Sequence, residues 1–176
     1  MSAKDNYEFR SAAIDGDAIS VKKLLDDPYV VSHITACDNE AFRFAAKYGY
    51  LEIVKILLAY PAVIADVSIR DNEGIIWAAE NGNFEVVKCI LEHINRHEHP
   101  DLFQTIIKAA TKAAATFNYA DMLVFILKES NYSHAFEALL FAAIHGHLPL
   151  SHLLLDFHEV QLIAHNEDNK ILKRRL

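Results

Sequence analysis

Asp71-Asn72-Glu73-Gly74-Ile75-Ile76-Trp77-Ala78-Ala79-Glu80-Asn81-Gly82-Asn83-Phe84-Glu85-Val86-Val87-Lys88-Cys89-Ile90-Leu91 reads as two helices separated by a glycine. Asp71-Asn72 is a helix N-cap signal, and Glu73 places negative charge in the first turn, where free N–H groups and the helix dipole favour it. Ile75, Ala78, Ala79 and Gly82 follow at i, i+3, i+4 and i+7, one stripe of a helix. The paired alanines let a neighbouring helix come close, and Gly82 permits the left-handed turn that ends the helix. Phe84, Val86, Val87, Ile90 and Leu91 make the second helix. A linker rich in polar and β-prone residues follows, so the unit is helix–turn–helix–linker.

The segment is one of a series. Asp5-Asn6, Asp38-Asn39 and Asp71-Asn72 stand 33 residues apart, and the three blocks share eight identical columns. After Asp-Asn these are Ala12/Ala45/Ala78, Ala13/Ala46/Ala79, Gly16/Gly49/Gly82, Val21/Val54/Val87, Lys22/Lys55/Lys88 and Leu25/Leu58/Leu91. A unit of this size cannot bury its apolar face alone, so neighbours stack into one continuous core. Ala142-Ala143-Ile144-His145-Gly146 with Leu154-Leu155 repeats the spacing, as does Ala114-Ala115-Thr116-Phe117-Asn118 with Ile126-Leu127. Asn118 stands in the glycine place, where asparagine is the next most tolerant residue. The fourth block arrives three residues late, so its first helix, from about Asp101, should be one turn longer and its connection short. A local irregularity is expected between the third and fourth units.

Leu155 to Asn169 spans the same 14 residues as Leu25 to Asn39, and Asp168-Asn169 repeats the dipeptide. Asn169–Leu176 therefore reads as the first helix of a sixth repeat. It serves either as a polar cap carrying Lys170, Lys173, Arg174 and Arg175, or as part of a longer protein. The single array divides at about 5–37, 38–70, 71–100, 101–133 and 134–166, with a partial sixth repeat at 167–176.

Composition narrows the function classes. Apolar residues make up 52%, ample for a core, and only 5 Gly and 4 Pro argue against disorder. No apolar run approaches the roughly 18 residues that span a bilayer, and the N-terminus lacks a hydrophobic secretory segment. The chain reads as soluble and cytoplasmic. Net charge is −7 without a long basic stripe, which counts against double-stranded nucleic acid as a ligand. Cys37 and Cys89 match no metal spacing. Cys89 shares an apolar helix column with Ile56 and reads as a small buried hydrophobe.

Gly49-Tyr50-Leu51-Glu52-Ile53-Val54-Lys55-Ile56-Leu57-Leu58 is similar to the G-H-L-E-I-V-K-x-L-L second helix of the ankyrin repeat family, with Gly82-Asn83-Phe84-Glu85-Val86-Val87-Lys88 close behind. The resemblance covers roughly residues 5–160. It implies an all-α, ankyrin-type helical repeat solenoid of about five helix–turn–helix repeats plus a C-terminal partial repeat or capping helix. Glu40-Ala41-Phe42-Arg43 and Glu73-Gly74-Ile75-Ile76 replace the family's T-P-L-H opening. The Asp-x-x-Gly turn of its β-hairpin finger is not evident in Pro61–Arg70. The Asp-Asn-Glu-Ala-Phe-x-x-Ala-Ala style resembles ankyrin repeats, effectors among them, from intracellular bacteria such as Legionella, and from amoebal viruses and their hosts. This resemblance implies delivery into a host cell, by a route without a cleaved N-terminal signal, to bind host proteins.

On a helical wheel Trp77 lies nearly opposite the core stripe, with Glu73, Glu80 and Asn81 nearby. Its column is Ser11, Phe44, Trp77, Ala113 and Phe141. Beside it run Lys47-Tyr48, Glu80-Asn81, Thr116-Phe117 and Ile144-His145. The family resemblance implies that this is the concave recognition face. Phe44, Lys47, Tyr48, Trp77, Glu80, Asn81, Phe117, Phe141 and His145 are the candidate partner-binding residues, with large aromatics as anchors. Packing beneath the linkers is the alternative for the aromatics. The Glu40, Glu73, Glu137 column reads as helix-dipole compensation. Were the groove a site, its acidic rim would favour Lys or Arg beside an apolar segment.

Catalysis finds little support. No G-x-G-x-x-G, P-loop, H-E-x-x-H or G-x-S-x-G pattern occurs. His93, His97 and His99 cluster, as do His145, His147 and His152, yet neither group has a well-placed third ligand class beyond Glu98 and Asp101. The expectation is a monomeric, noncatalytic protein-binding module with no cofactor, no metal, no nucleic acid and no membrane insertion. The rivals are a spacer or docking arm of a longer protein, and an enzyme sited at the junction around His97, His99 and Asp101.

Overall fold

The computed structural model describes residues 6–94 and 99–157. Among these residues there are twelve helices and no strand. The first block holds α1 (Tyr7–Asp15), α2 (Ala18–Leu24) and α3 (Pro28–Ser32), and the second α4 (Ala36–Tyr48), α5 (Leu51–Leu58) and α6 (Pro61–Ala65). α7 (Ile69–Glu80) and α8 (Phe84–His93) make the third. α9 (Pro100–Thr116), α10 (Ala120–Glu129), α11 (Ala135–Ile144) and α12 (Leu148–Leu155) complete the order. The chain clusters into two compact units, Met1–Ala109 and Ala110–Leu176.

Each helix pair turns where the repeat analysis placed a glycine. Gly49 and Gly82 have φ of 78° and 72°, and Asn118, standing in for glycine, has 64°. In the first unit α1, α4 and α7 pack side by side, and α2, α5 and α8 form the second layer. Two shared columns are core throughout: Val21, Val54 and Val87 are fully buried, as are Ala13, Ala46 and Ala79, with Phe9, Phe42 and Ile75 behind them. Burying each of the large side chains contributes about 1.5–3 kcal/mol, so three copies of one column stabilise a stack that a single unit cannot. In the second unit α11 packs on α12, and Ala138, Leu139, Ala142, Leu150 and Leu154 close the contact. Cys89 is buried, as its column required, and burial raises its thiol pKa.

One local expectation is corrected. Asp38-Asn39 and Asp71-Asn72 are not N-caps, for their backbone is left-handed and neither the Asn39 nor the Asn72 Oδ1 accepts a hydrogen bond. Instead Cys37-Asp38-Asn39 (φ 56°, 59°, 56°) and Arg70-Asp71-Asn72 (φ 53°, 56°, 68°) are left-handed turns, with right-handed helix resuming at Glu40 and Glu73. Asp and Asn tolerate this region better than other L-residues, which is why the dipeptide recurs there. The asparagine side chain then turns inward. Asn39 is fully buried and its amide donates to the Val63 carbonyl at 3.3 Å, while Asn6 donates to His33 O at 2.7 Å. Each amide pins the linker of its own repeat.

That linker is itself partly helical, because Pro28 and Pro61 open short third helices, Pro being pre-set for the first helical position. Asp27 caps the first of them, accepting from Tyr29 N at 2.8 Å.

The fourth block's first helix is lengthened by more than the one turn expected: α9 has 17 residues against 9 in α1, and only Ser130–His134 connects α10 to α11. The turn there puts Asn131 and Tyr132 at φ 50° and 59°. The third-to-fourth junction at 95–98 and the sixth-repeat segment Asn169–Leu176 lie outside the described residues.

Candidate functional site

The core stripes of α4 and α7 face inward, so the residues opposite them emerge together. Phe44 and Trp77, one repeat apart, are half-buried and meet edge to face at 5.4 Å. Tyr48, one turn along α4, lies 6.0 Å from Phe44 and is 48% exposed. Tyr50 continues the row, 5.9 Å from Tyr48. Lys47 lies over this shelf, its Nζ 4.7 Å from the Trp77 ring centre, 5.5 Å from Phe44 and 5.6 Å from Tyr48. Rings at these separations attract one another and hold a cation above their faces.

Of the expected site residues, Phe44, Lys47, Tyr48 and Trp77 thus come together. Asn81, exposed at the end of α7, spends its amide on its own helix, donating to Trp77 O at 2.7 Å. Glu80 is half-buried beside it and makes a contact of its own. Phe117, Phe141 and His145 belong to the other compact unit. Phe117 is 47% exposed. Phe141 lies under Lys112, whose Nζ is 5.4 Å from the ring centre. His145 is exposed, with Nδ1 2.8 Å from Phe141 O and its ring stacked on His147 at 6.2 Å. The Trp77 column is not uniformly wet, since Ala113 is 5% exposed.

A second periodic column was overlooked. Arg10 and Arg43 stand 33 residues apart, and each pairs with the glutamate of the next repeat, Glu40 and Glu73. Arg43 is buried; its Nε also donates to Asp38 O at 2.7 Å, and Arg70 reaches Glu73 at 3.3 Å. The guanidinium therefore joins two repeats and braces the left-handed turn. Glu40 and Glu73, at the start of right-handed helix, are thus each neutralised by an arginine of the preceding repeat. Glu137 instead faces His134 Nδ1 at 3.6 Å. The signal was available in the sequence, as two Arg positions and two Glu positions sharing the same period.

Tyr50 and Asn83, each directly after a turn glycine, do another job. The Tyr50 ring covers Gly16, and Asn83 donates to Ala46 O at 3.0 Å and Lys47 O at 2.8 Å. His147 does likewise for Thr116 O at 2.7 Å. Each reaches back to the preceding repeat, the latter two capping the carbonyl end of its first helix.

Residues 9–101 and 43–131 match a family model described as Ankyrin repeats (3 copies). The chain belongs to the ankyrin repeat family. No curated protein matches it. Ankyrin repeats are generally protein–protein interaction modules and generally noncatalytic. Among the described residues no helix is long and apolar enough to cross a membrane, and no group of three or more His, Cys, Asp or Glu is placed to hold a metal ion. His93 uses Nδ1 on its own helix, 2.8 Å from Cys89 O, and His97 lies outside the described residues. Two recesses of about 540 and 270 Å³ border the first ankyrin repeat, the larger lined by Tyr7, Ser11, Asp15, Asp17 and Lys23 among others.

Proposed function

We propose that this ankyrin array is a noncatalytic, monomeric binding module that grips a protein partner through its first-helix face, with Phe44, Lys47, Tyr48 and Trp77 as anchors. The observation that carries the reading is the aromatic shelf itself. Three rings and a cation converge on a face that the repeat core does not need, and large aromatics on such a face are the usual anchors of an interface. Glu80 and Asn81 flank the shelf, and Phe117, Phe141 and His145 are the candidate binding residues of the second unit, taken by itself. The Asp-Asn-Glu style of the repeats, similar to that of effectors from intracellular bacteria, supports a host-cell protein as the partner.

The test is a photo-cross-linking residue at Tyr48, compared with one at Lys55 on the second-helix layer, in amoebal and mammalian lysates. The expected result is an adduct at position 48 that disappears in a Phe44→Ala/Trp77→Glu variant with native helicity. Adducts at position 55 only, or at 48 irrespective of that variant, would move the site elsewhere.

A further inference from the structure

The shelf has a charge preference that the bare sequence concealed. Glu40 and Glu73, the acidic groups that could receive a partner's lysine or arginine, are already paired with Arg10 and Arg43. Glu80 makes a contact of its own. The ring faces that could hold a partner's cation are occupied too. Lys47 covers Trp77, Phe44 and Tyr48, and the Arg43 guanidinium carbon lies 5.7 Å from the Trp77 centre and 6.0 Å from Phe44. What stays open is Lys47. Its ammonium has no carboxylate partner among the described residues, and it is half-buried in rings that solvate it poorly. A cation held over aromatic faces keeps its N–H groups to donate, and an ionised acceptor makes the stronger hydrogen bond.

Resting on the proposed function, we infer that the partner segment is acidic. A short stretch bears an aspartate or glutamate next to a large apolar side chain. The carboxylate pairs with Lys47, and the apolar group lies along Phe44, Trp77 and Tyr48. The chain's net charge of −7 does not forbid this, since exposed charges more than about 8 Å away are screened at physiological ionic strength while the Lys47 contact forms inside that distance. Charge complementarity of this kind selects partners more than it adds affinity.

The protein supplies its own reporter, for Trp77 is its single tryptophan. The full chain is titrated with three synthetic peptides sharing the same Leu and Phe positions. One alternates them with Asp and Glu, one with Lys and Arg, and one with Ser and Gln. Trp77 fluorescence reports binding, and circular dichroism confirms that each variant is folded. The expected result is a response to the acidic peptide, weakened about tenfold or more in Lys47→Glu and restored in Lys47→Arg, the factor carried by one charge-assisted hydrogen bond. Equal or tighter binding of the basic or neutral peptide, lost in Phe44→Ala, overturns the acidic preference while the face remains a protein-binding site. Acidic binding indifferent to Lys47→Glu overturns it as well. Silence from all three peptides overturns it, and the cross-linking at Tyr48 then decides separately whether the face binds protein at all.

Discussion

Replacing Gly49 with alanine tests how one ankyrin repeat locks the next. Gly49 sits at φ 78°, and a Cβ there would stand 2.7 Å from the Asn83 Oδ1 and 3.0 Å from its Cγ. Two costs follow. A left-handed alanine is worse than glycine by about 1–2 kcal/mol. The methyl also drives out the Asn83 amide, and with it the hydrogen bonds to Ala46 O and Lys47 O, each contributing about 1 kcal/mol. Gly49→Ala should therefore cost about 3–4 kcal/mol. Asn83→Ala alone should cost about 2 kcal/mol, for the two bonds. The double variant distinguishes the mechanism. With Asn83 already truncated the methyl's three nearest neighbours are gone, so the pair together should cost the same about 3–4 kcal/mol, a coupling of about 2 kcal/mol. Urea unfolding followed by circular dichroism measures all four proteins, with equal slopes required for comparison. Costs that add to within about 0.5 kcal/mol would refute the reasoning, since Asn83 would then move aside without losing its bonds.

Arg43→Ala should cost about 2–3 kcal/mol, because it removes the buried partner of Glu73, leaving it only the exposed Arg70, and frees the Asp38 carbonyl. Adding Glu73→Ala should recover part of that loss, and denaturant titration of the single and double variants checks it. Trp77→Ala should cost about 1–2 kcal/mol, less than the about 3–5 kcal/mol for the fully buried Phe42→Ala, as melting temperatures will report. Asn118→Gly should stabilise by up to about 1 kcal/mol, and Asn118→Val should destabilise, both read from the unfolding midpoint at φ-positive position 118. Of the two thiols, exposed Cys37 should react with Ellman's reagent in the native protein and buried Cys89 only on unfolding. The Cys89 pKa is raised by burial, so its contribution to stability is complete below the ordinary thiol value of 9.0 and is lost as pH rises beyond it. Cys89→Ala should flatten that alkaline decline.

Much of the fold was legible because its determinants are local and repeated. The Ala-Ala-x-x-Gly stripe, the apolar second helix and the late fourth block each specify backbone geometry through neighbours a few residues away, and the helices, the glycine turns and the longer α9 follow from them. The Asp-Asn dipeptide was misread for an equally local reason. Capping a helix and tolerating a left-handed turn call on the same short polar side chains, so composition cannot tell them apart.

The period by itself thus determined the ankyrin architecture, its turn positions, its core columns and the face on which Phe44 and Trp77 emerge. Which charges on that face remain open was settled only by tertiary structure. The Arg10–Glu40 and Arg43–Glu73 pairs and the lysine over Trp77 each join residues about one repeat apart. Such pairings exist only once stacking has brought neighbouring first helices within side-chain reach.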